Sequence, residues 1–563
     1  MTDDLTETRA ERPNVLVILT DEWRAHNVGY AGDQHARTPN IDRLASEAIN
    51  FSQAVSGQPI CCPARASFLT GQYPLEHGVY INDVELRPTG PTLAEAFRDN
   101  GYRTGYIGKW HLYGSPDGRF ERRDAFIPVE SRHGFEYWKA LECTHDYNHS
   151  AYYAGDDTTK RHWDGYDAFA QTDDALGFIS DGEAGEPFFL MLSYGPPHFP
   201  LQTAPERFRQ LYQDADIQVP PNVPEWAADS ALHDLRGYYA HIAALDECVG
   251  RLLDGVQSTN TIVVFTSDHG DMLWSQGLEH KLTGWEEAVR VPLLIRTPTR
   301  QAARSTQLFN SPDLMPTLLG FAGLPVPDTV SGIDLSHPDA GPTTAFLSAP
   351  VAYSSMRRAG LAEYRGVRDG QYTYIRSIHG PWLLYDNVDD PFQLRNRCGD
   401  PDLAFVQERL ERELAGWLTR LGDEFLPGDN YLRRDGLGHY FEVNEPLGFS
   451  GTRQWASTIQ RGRAFSIDTA LKAITEDPAA RAIVDAARPG VLGSDVPLHD
   501  RRSLRLLAMS DAELFTDDEL IDLDRSLLAL GPRPSDPIDS VALPAWPPKE
   551  RLVPMQSPTA APV

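Results

Sequence analysis

Asn14-Val15-Leu16-Val17-Ile18-Leu19-Thr20, followed by Asp21-Glu22, decides the architecture: an unbroken apolar run of strand length that closes on two acids. A strand apolar on both faces belongs in a parallel sheet covered on each side by helices. Acids at its carboxyl end stand where open α/β sheets place ligands. The pattern recurs further along. Thr261–Ser267 is another such run and closes on Asp268-His269-Gly270-Asp271, while Phe188-Phe189-Leu190-Met191-Leu192-Ser193-Tyr194 feeds Gly195-Pro196-Pro197-His198. Residues 104–107 and 291–295 read as further strands.

The intervening segments read as helices. Thr92-Leu93-Ala94-Glu95 is a capping box that opens a helix closed by Gly101, and residues 230–256 carry Leu232, Leu235, Tyr239, Ile242, Leu245, Val249 and Leu252 at three-and-four spacing. Ser311-Pro312-Asp313 opens another, which ends near Gly323. The expected fold is therefore α/β, a large mixed, mostly parallel sheet sandwiched by helices over residues 12–342. From 343 to 425 the pattern changes to a smaller α+β subdomain. There Tyr364 to Arg368, Asp369-Gly370 and Gln371 to Ile375 form a hairpin around an Asp-Gly turn, and Leu403, Val406, Leu410, Leu414, Trp417 and Leu421 make a helical stripe. Residues 426–531 are a partly helical extension with helices expected near 468–487 and 516–530. The tail, 532–563, has nine prolines in 32 residues, too many for regular elements, and the extension offers a surface for a homo-oligomer.

The 563 residues carry a formal charge of −29, which repels nucleic acid and anionic membrane surfaces, so an anionic substrate requires a local basic pocket. No apolar run approaches the ~20 residues of a membrane span. Residues 1–12 lack the basic start and apolar core of a secretory signal, and the five cysteines cannot all pair with one another, so the expected location is the cytoplasm.

The chemistry concentrates at Cys61-Cys62-Pro63-Ala64-Arg65-Ala66-Ser67-Phe68-Leu69-Thr70-Gly71. Pro63 suits the first helical position and Gly71 a left-handed terminator, which would put Cys61 just outside a helix N-terminus, where unpaired N–H groups favour an anion. A buried or redox-active vicinal cysteine pair is the competing reading. The acids at the ends of the two strands, with His269, make an oxygen-rich site suited to a hard divalent cation.

The run Cys-x-Pro-x-Arg, followed by Leu-Thr-Gly, resembles the signature of the type I sulfatases of the alkaline phosphatase superfamily, in which a cysteine is oxidised to formylglycine. The spacing selects Cys61, since Cys62 has Pro63 directly next to it. Gly108-Lys109-Trp110-His111 resembles another element of that family, His198 matches a histidine in a Pro-Pro-His context, and Lys281 falls where the family has a second lysine. The resemblance covers about residues 12–425. It implies a metal site of Asp21, Glu22, Asp268 and His269, with Ca2+ first and Mg2+ or Mn2+ as alternatives; the family's first segment reads Asp-Asp, and Glu22 departs from it. It also implies a formylglycine-generating enzyme as partner. In the implied mechanism a formylglycine hydrate at position 61, ionised by metal and Arg65, attacks sulfur; Lys109 and Lys281 neutralise sulfate oxygens, His198 assists the leaving oxygen, and His111 takes the proton from the remaining hydroxyl.

The aromatic segment 135–169, with Trp138 and Trp163, suits stacking on sugars, so the expected substrate is a sulfate ester of a small or oligosaccharide carbohydrate. The alternatives are a phosphonate monoester or phosphodiester hydrolase of the same superfamily, and a non-catalytic sulfated-glycan-binding protein.

Overall fold

A computed structural model describes residues 12–440, apart from 184, 258, 339–340, 355 and 357–360, together with parts of 465–530. The proline-rich segment 532–563 lies outside the described residues. Ten strands form one sheet: β1 (Asn14–Asp21), β2 (Ile49–Val55), β3 (Arg103–Lys109), β4 (Tyr137–Leu141), β5 (Ala151–Ala154), β6 (Asp157–His162), β7 (Phe188–Pro197), β8 (Thr261–Ser267), β9 (Leu293–Arg296) and β10 (Ala303–Asn310). Their spatial order is β10-β2-β9-β8-β1-β7-β3-β4-β5-β6. The central run β8-β1-β7-β3-β4 is parallel throughout, whereas β9 runs against both its neighbours and β4-β5-β6 is an antiparallel edge.

The alternation along β1 shows why its sequence is apolar without a break. Val15, Val17 and Leu19 enter one core with Phe189, Met191 and Val264, while Leu16 and Ile18 enter the other with Leu190, Leu192 and Phe265. The long helix Ala228–Gly255 covers the second face through Leu235, Ile242, Leu245, Val249 and Leu252. At ~25 cal/mol per Å² of apolar surface, each fully buried Leu or Ile contributes about 1.5–3 kcal/mol, so this two-sided burial fixes β1 at the centre of the sheet.

A second, antiparallel sheet contains β11 (Ala345–Ala349), β12 (Tyr364–Arg368), β13 (Tyr372–Ser377) and β14 (Gly380–Asp386) in sequential order. Asp369 Oδ1 accepts from the N–H of Gln371 and Tyr372 in the β12–β13 turn, the Asx geometry that Asp-Gly favours. Helix Ala404–Leu421 packs Leu410, Leu414 and Trp417 on this sheet and stops at Gly422, whose φ of 60° is left-handed. Farther on, helices Leu471–Glu476, Pro478–Ala487 and Asp517–Leu528 share a small core that includes Ile474, Val484, Leu520 and Leu527.

Two expectations are corrected. Helix Cys61–Thr70 begins at Cys61, with Ile60 as N-cap, so Cys61 is the first helical residue and Pro63 the third. Trp138 and Trp163 are core residues. Trp138 stacks on Tyr106 and meets Trp110 edge-on, and Trp163 stacks on Tyr152 at 4.0 Å. Their segment supplies β4, β5 and β6, and pairing with β3 draws alternate side chains into the cores. Neither indole has a free face for a sugar.

Candidate active site

The carboxyl ends of β1, β8, β3 and β7 converge on the N-terminus of helix Cys61–Thr70. β1 ends in Asp21 and is followed by Glu22, β8 by Asp268 and His269, and β3 ends in Lys109. His198 follows β7 on a loop where Pro196–Pro197 and Phe199–Pro200 are cis. Gly108 is required by this crowding: a Cβ there would lie 2.1 Å from the Ser193 carbonyl oxygen, and its φ is 103°. Glu22, Asp83, His111 and His280 all hold positive φ, conformations that cost roughly 1–3 kcal/mol each and persist only where the surrounding structure imposes them.

Cys61 Sγ is the point on which the polar groups centre. It lies 3.3 Å from His269 Nε2, 3.3 Å from Lys281 Nζ, 3.7 Å from Asp21 Oδ1 and 3.8 Å from Lys109 Nζ. Burial acts to raise the pKa of this thiol, but Lys109, Lys281 and His269 overcome it and hold it well below the usual range. Cys62 is the contrast: burial pushes it up to about 11, and its Sγ accepts from the Asp83 N–H. The two adjacent cysteines thus stand in opposite electrostatic surroundings.

Arg65, one turn along the helix, reaches the acids. Nε donates to Asp268 Oδ2 at 2.9 Å, Nη2 to Asp21 Oδ2 at 3.2 Å, and Nη1 to the Lys109 carbonyl and Ser193 Oγ. Four bonds to protein occupy its guanidinium, and two of them clamp the Asp21 and Asp268 carboxylates in place. Lys109 Nζ also meets Asp21 Oδ2 at 2.5 Å.

The donor atoms of Asp21, Cys61, Asp268 and His269 lie within 4.8 Å of one another. His269 Nδ1 faces the Gly270 carbonyl at 2.9 Å, which orients the ring so that Nε2 points toward the acids, 3.5 Å from both Asp21 Oδ1 and Asp268 Oδ1. Two carboxylates and an imidazole nitrogen aimed at one point fit a hard divalent cation, which would bind the deprotonated ring nitrogen. Glu22 stands outside this group. Its carboxylate faces Lys281 Nζ at 3.1 Å and His198 Nε2 at 3.4 Å, and it clusters with Asp271 and His280. The extra methylene relative to aspartate carries the charge past the first cluster to the second lysine.

Lys281 Nζ lies 2.7 Å from His198 Nε2, whose Nδ1 is held by the Phe199 carbonyl. Burial and the Lys281 charge keep His198 well below the ordinary histidine range, so the ammonium is the donor in this pair. His145, half-exposed, stacks in parallel on His198 with centroids 4.7 Å apart. His111 sits beside both cysteines and has Asp83 as its ionic neighbour. Sequence reading assigned no role to Ser193, Asp83 and Asp271. Ser193, the partner of Gly108 across β3 and β7, was discoverable from its place near a strand end, whereas the others lie in loops with no periodicity.

The sulfatase family model matches residues 13–324, and the model described as N-sulphoglucosamine sulphohydrolase, C-terminal, matches residues 276–419. An ulvan-active sulfatase of Formosa agariphila is 40% identical over 450 residues, covering 77% of this chain and 86% of its own. An endo-4-O-sulfatase of Bacteroides thetaiotaomicron is 27% identical over 478 residues, covering 74% and 93% respectively. A solved structure from work on how Bacteroides thetaiotaomicron metabolises multiple glycosaminoglycans superposes with a TM-score of 0.67 at 25% identity, covering 76% of this chain and 100% of that one. The family match spans the strands whose ends build the site, and the chain belongs to the sulfatase family, enzymes that hydrolyse sulfate esters.

Proposed function

We propose that this sulfatase cleaves the sulfate ester of a carbohydrate, using a formylglycine formed from Cys61 and a calcium ion held by Asp21, Asp268, His269 and residue 61. The observation that carries the reading is the ring of Lys109, Lys281 and His198 around a residue at a helix N-terminus that shares a cation-donor set. The named relatives act on ulvan and as an endo-4-O-sulfatase, which supports a glycan substrate.

A formylglycine hydrate supplies one hydroxyl to attack sulfur and a second to expel sulfate, and the cation supplies positive charge at that point. The protein's own groups do the rest. Lys109 and Lys281 neutralise the sulfate oxygens and answer the need for a basic pocket on an acidic chain. The Lys281–His198 pair holds the proton that the departing sugar oxygen takes, and the Phe199 carbonyl fixes the imidazole's orientation. Arg65 keeps Asp21 and Asp268 together. The formylglycine-generating enzyme of the host is the required partner, and the five free cysteines support a reducing, cytoplasmic location.

The test is a panel of positional isomers of sulfated mono- and oligosaccharides with peptide mass analysis of residue 61. Sulfate esters should exceed matched phosphate diesters and phosphonates by at least ~10-fold in kcat/KM, about 1.4 kcal/mol of transition-state preference. Phosphonate monoesters in the lead would replace the sulfate assignment.

A further inference from the structure

Phe51 of β2 enters a core, and its neighbours Asn50 and Ser52 point to the opposite face of the sheet, where they line a cavity of about 230 Å³. β10 runs parallel to β2 with Arg304 in register beside Asn50, which brings a guanidinium to the same face. Arg290, just before β9, and His26 and Tyr30, from the loop after β1, complete the polar wall. The rest of the lining is apolar, and no aspartate or glutamate belongs to it. Two arginines without an acid stand out in a chain of formal charge −29. The cavity shares no residue with the ring of Lys109, Lys281 and His198.

Arg290 Nη2 donates to the Ser52 carbonyl at 2.5 Å, but Nε has no acceptor among the described residues, and Nη1 stands 3.6 Å from Glu286 Oε2. Glu286 is already held by Arg368, with Nε on Oε1 at 2.7 Å and Nη2 on Oε2 at 2.9 Å. Arg290 is therefore a half-buried cation with no carboxylate of its own. Arg304 is exposed and makes no ion pair among the described residues. Asp33 and Asp42, on the same loop and the helix after it, are engaged elsewhere: Asp42 Oδ1 accepts from the Tyr30 N–H and Thr38 Oγ1, and Asp33 Oδ2 from Asn27 and Tyr239. Burial and the charges of Arg24 and Arg290 lower His26 to about 3, and burial raises the Tyr30 phenol, so both are neutral hydrogen-bond donors at pH 7. The walls are braced by backbone bonds, Ala25 N–H to the Arg290 carbonyl at 3.1 Å and Val291 N–H to the Ala54 carbonyl at 3.3 Å.

We propose that this cavity is a second anion site, which takes one sulfate or carboxylate group between Arg290 and Arg304 with the Tyr30 hydroxyl and the His26 imidazole as neutral donors. Guanidinium forks match the oxygens of either group. The volume is below the ~300 Å³ at which pockets for drug-sized ligands begin, so it holds one charged group, with any larger carrier left at the mouth. That group arrives either as free inorganic sulfate or as a substituent of an anionic glycan. A strongly acidic chain repels anions at long range, so binding requires local cations of this kind. The site does not depend on the chemistry at residue 61.

The test is equilibrium dialysis of the full chain against radiolabelled inorganic sulfate at fixed ionic strength, alongside inhibition of turnover by sulfate. Arg304→Ser should weaken the cavity-bound sulfate by at least ~10-fold, the loss expected for a charged hydrogen-bond partner, while inhibition by sulfate and turnover of a small sulfate ester stay unchanged. Arg290→Gln should do the same, and Arg304, being exposed, carries the test alone if that variant fails to fold. A rise in KM of the same size for a sulfated oligosaccharide alone assigns the anion to the glycan, whereas loss of sulfate binding without that rise assigns it to the free ion. Sulfate binding that is absent or that both substitutions leave unmoved, together with an unchanged KM for the oligosaccharide, overturns the site. Turnover of no sulfate ester at all would instead overturn the function proposed above, and the dialysis result would stand apart from it.

Discussion

Replacing Arg65 with glutamine removes a guanidinium that makes four contacts inside the site, two of them to carboxylates that are wholly buried. Glutamine is too short to span Asp268 and Asp21 together. Asp21 keeps Lys109 at 2.5 Å, whereas Asp268 keeps His269 at 3.5 Å and the Glu22 N–H at 3.2 Å, both weaker partners than the guanidinium. Breaking a buried ion pair by removing one partner costs about 3–5 kcal/mol, because the surviving charge stays desolvated. The expected loss for Arg65→Gln in chelator-treated protein is in that range, read from the shift of the urea midpoint at unchanged slope. A divalent cation offers the orphaned carboxylates a new partner, so calcium should recover more stability in the variant than in wild type. Calcium titration monitored by urea melts is the assay. A variant within 1 kcal/mol of wild type without metal, yet inactive, would refute the clamp and return Arg65 to direct contact with substrate.

Chelation should abolish turnover, and Asp21→Asn or Asp268→Asn should do the same with the circular dichroism spectrum retained, whereas Glu22→Gln should raise KM more than it weakens calcium binding measured by calorimetry. In protein from a host without the modifying enzyme, iodoacetamide should alkylate Cys61 at least ~10-fold faster than Cys62 at neutral pH, as read by peptide mass, because Lys109 and Lys281 favour the thiolate at Cys61 while burial disfavours it at Cys62. His77 tests the sign of a proton linkage away from the site. Burial lowers it from 6.5 to about 3, while Nε2 meets Ser67 Oγ and Nδ1 accepts from Val79 N–H. Below pH 6.5 the unfolded chain binds the extra proton, so its contribution falls as pH falls, by about 2 kcal/mol at pH 5. His77→Gln should flatten the stability–pH curve between pH 7 and 5 by that amount, and an unchanged slope would show that the ring is not buried neutral.

The strands that carry the site were legible because burial on both faces leaves a local mark. β1, β7 and β8 are continuous apolar runs, and the acids and the histidine loop that follow them mark the ligand end of the sheet. The edge strands β4 to β6 were not. β6 is exposed throughout and β5 alternates, so the segment had no apolar run, and its aromatics looked free when pairing had already consumed them.

By itself the sequence determined which residue types stand at the strand ends, that Cys61 and not Cys62 has the required spacing, and that a −29 chain must gather its own cations around an anionic substrate. Only the tertiary structure decided how those groups divide their work. Arg65 became a clamp, Glu22 turned from the cation donors to Lys281, and Asp83 and Arg123 arrived behind His111 from loops far apart in the chain. The physical reason is range. Burial and spacing are written in neighbouring residues, but hydrogen bonds and ion pairs form between groups brought together by a sheet whose order is not the order of the chain, and their directions are set by backbone conformations that no periodicity encodes.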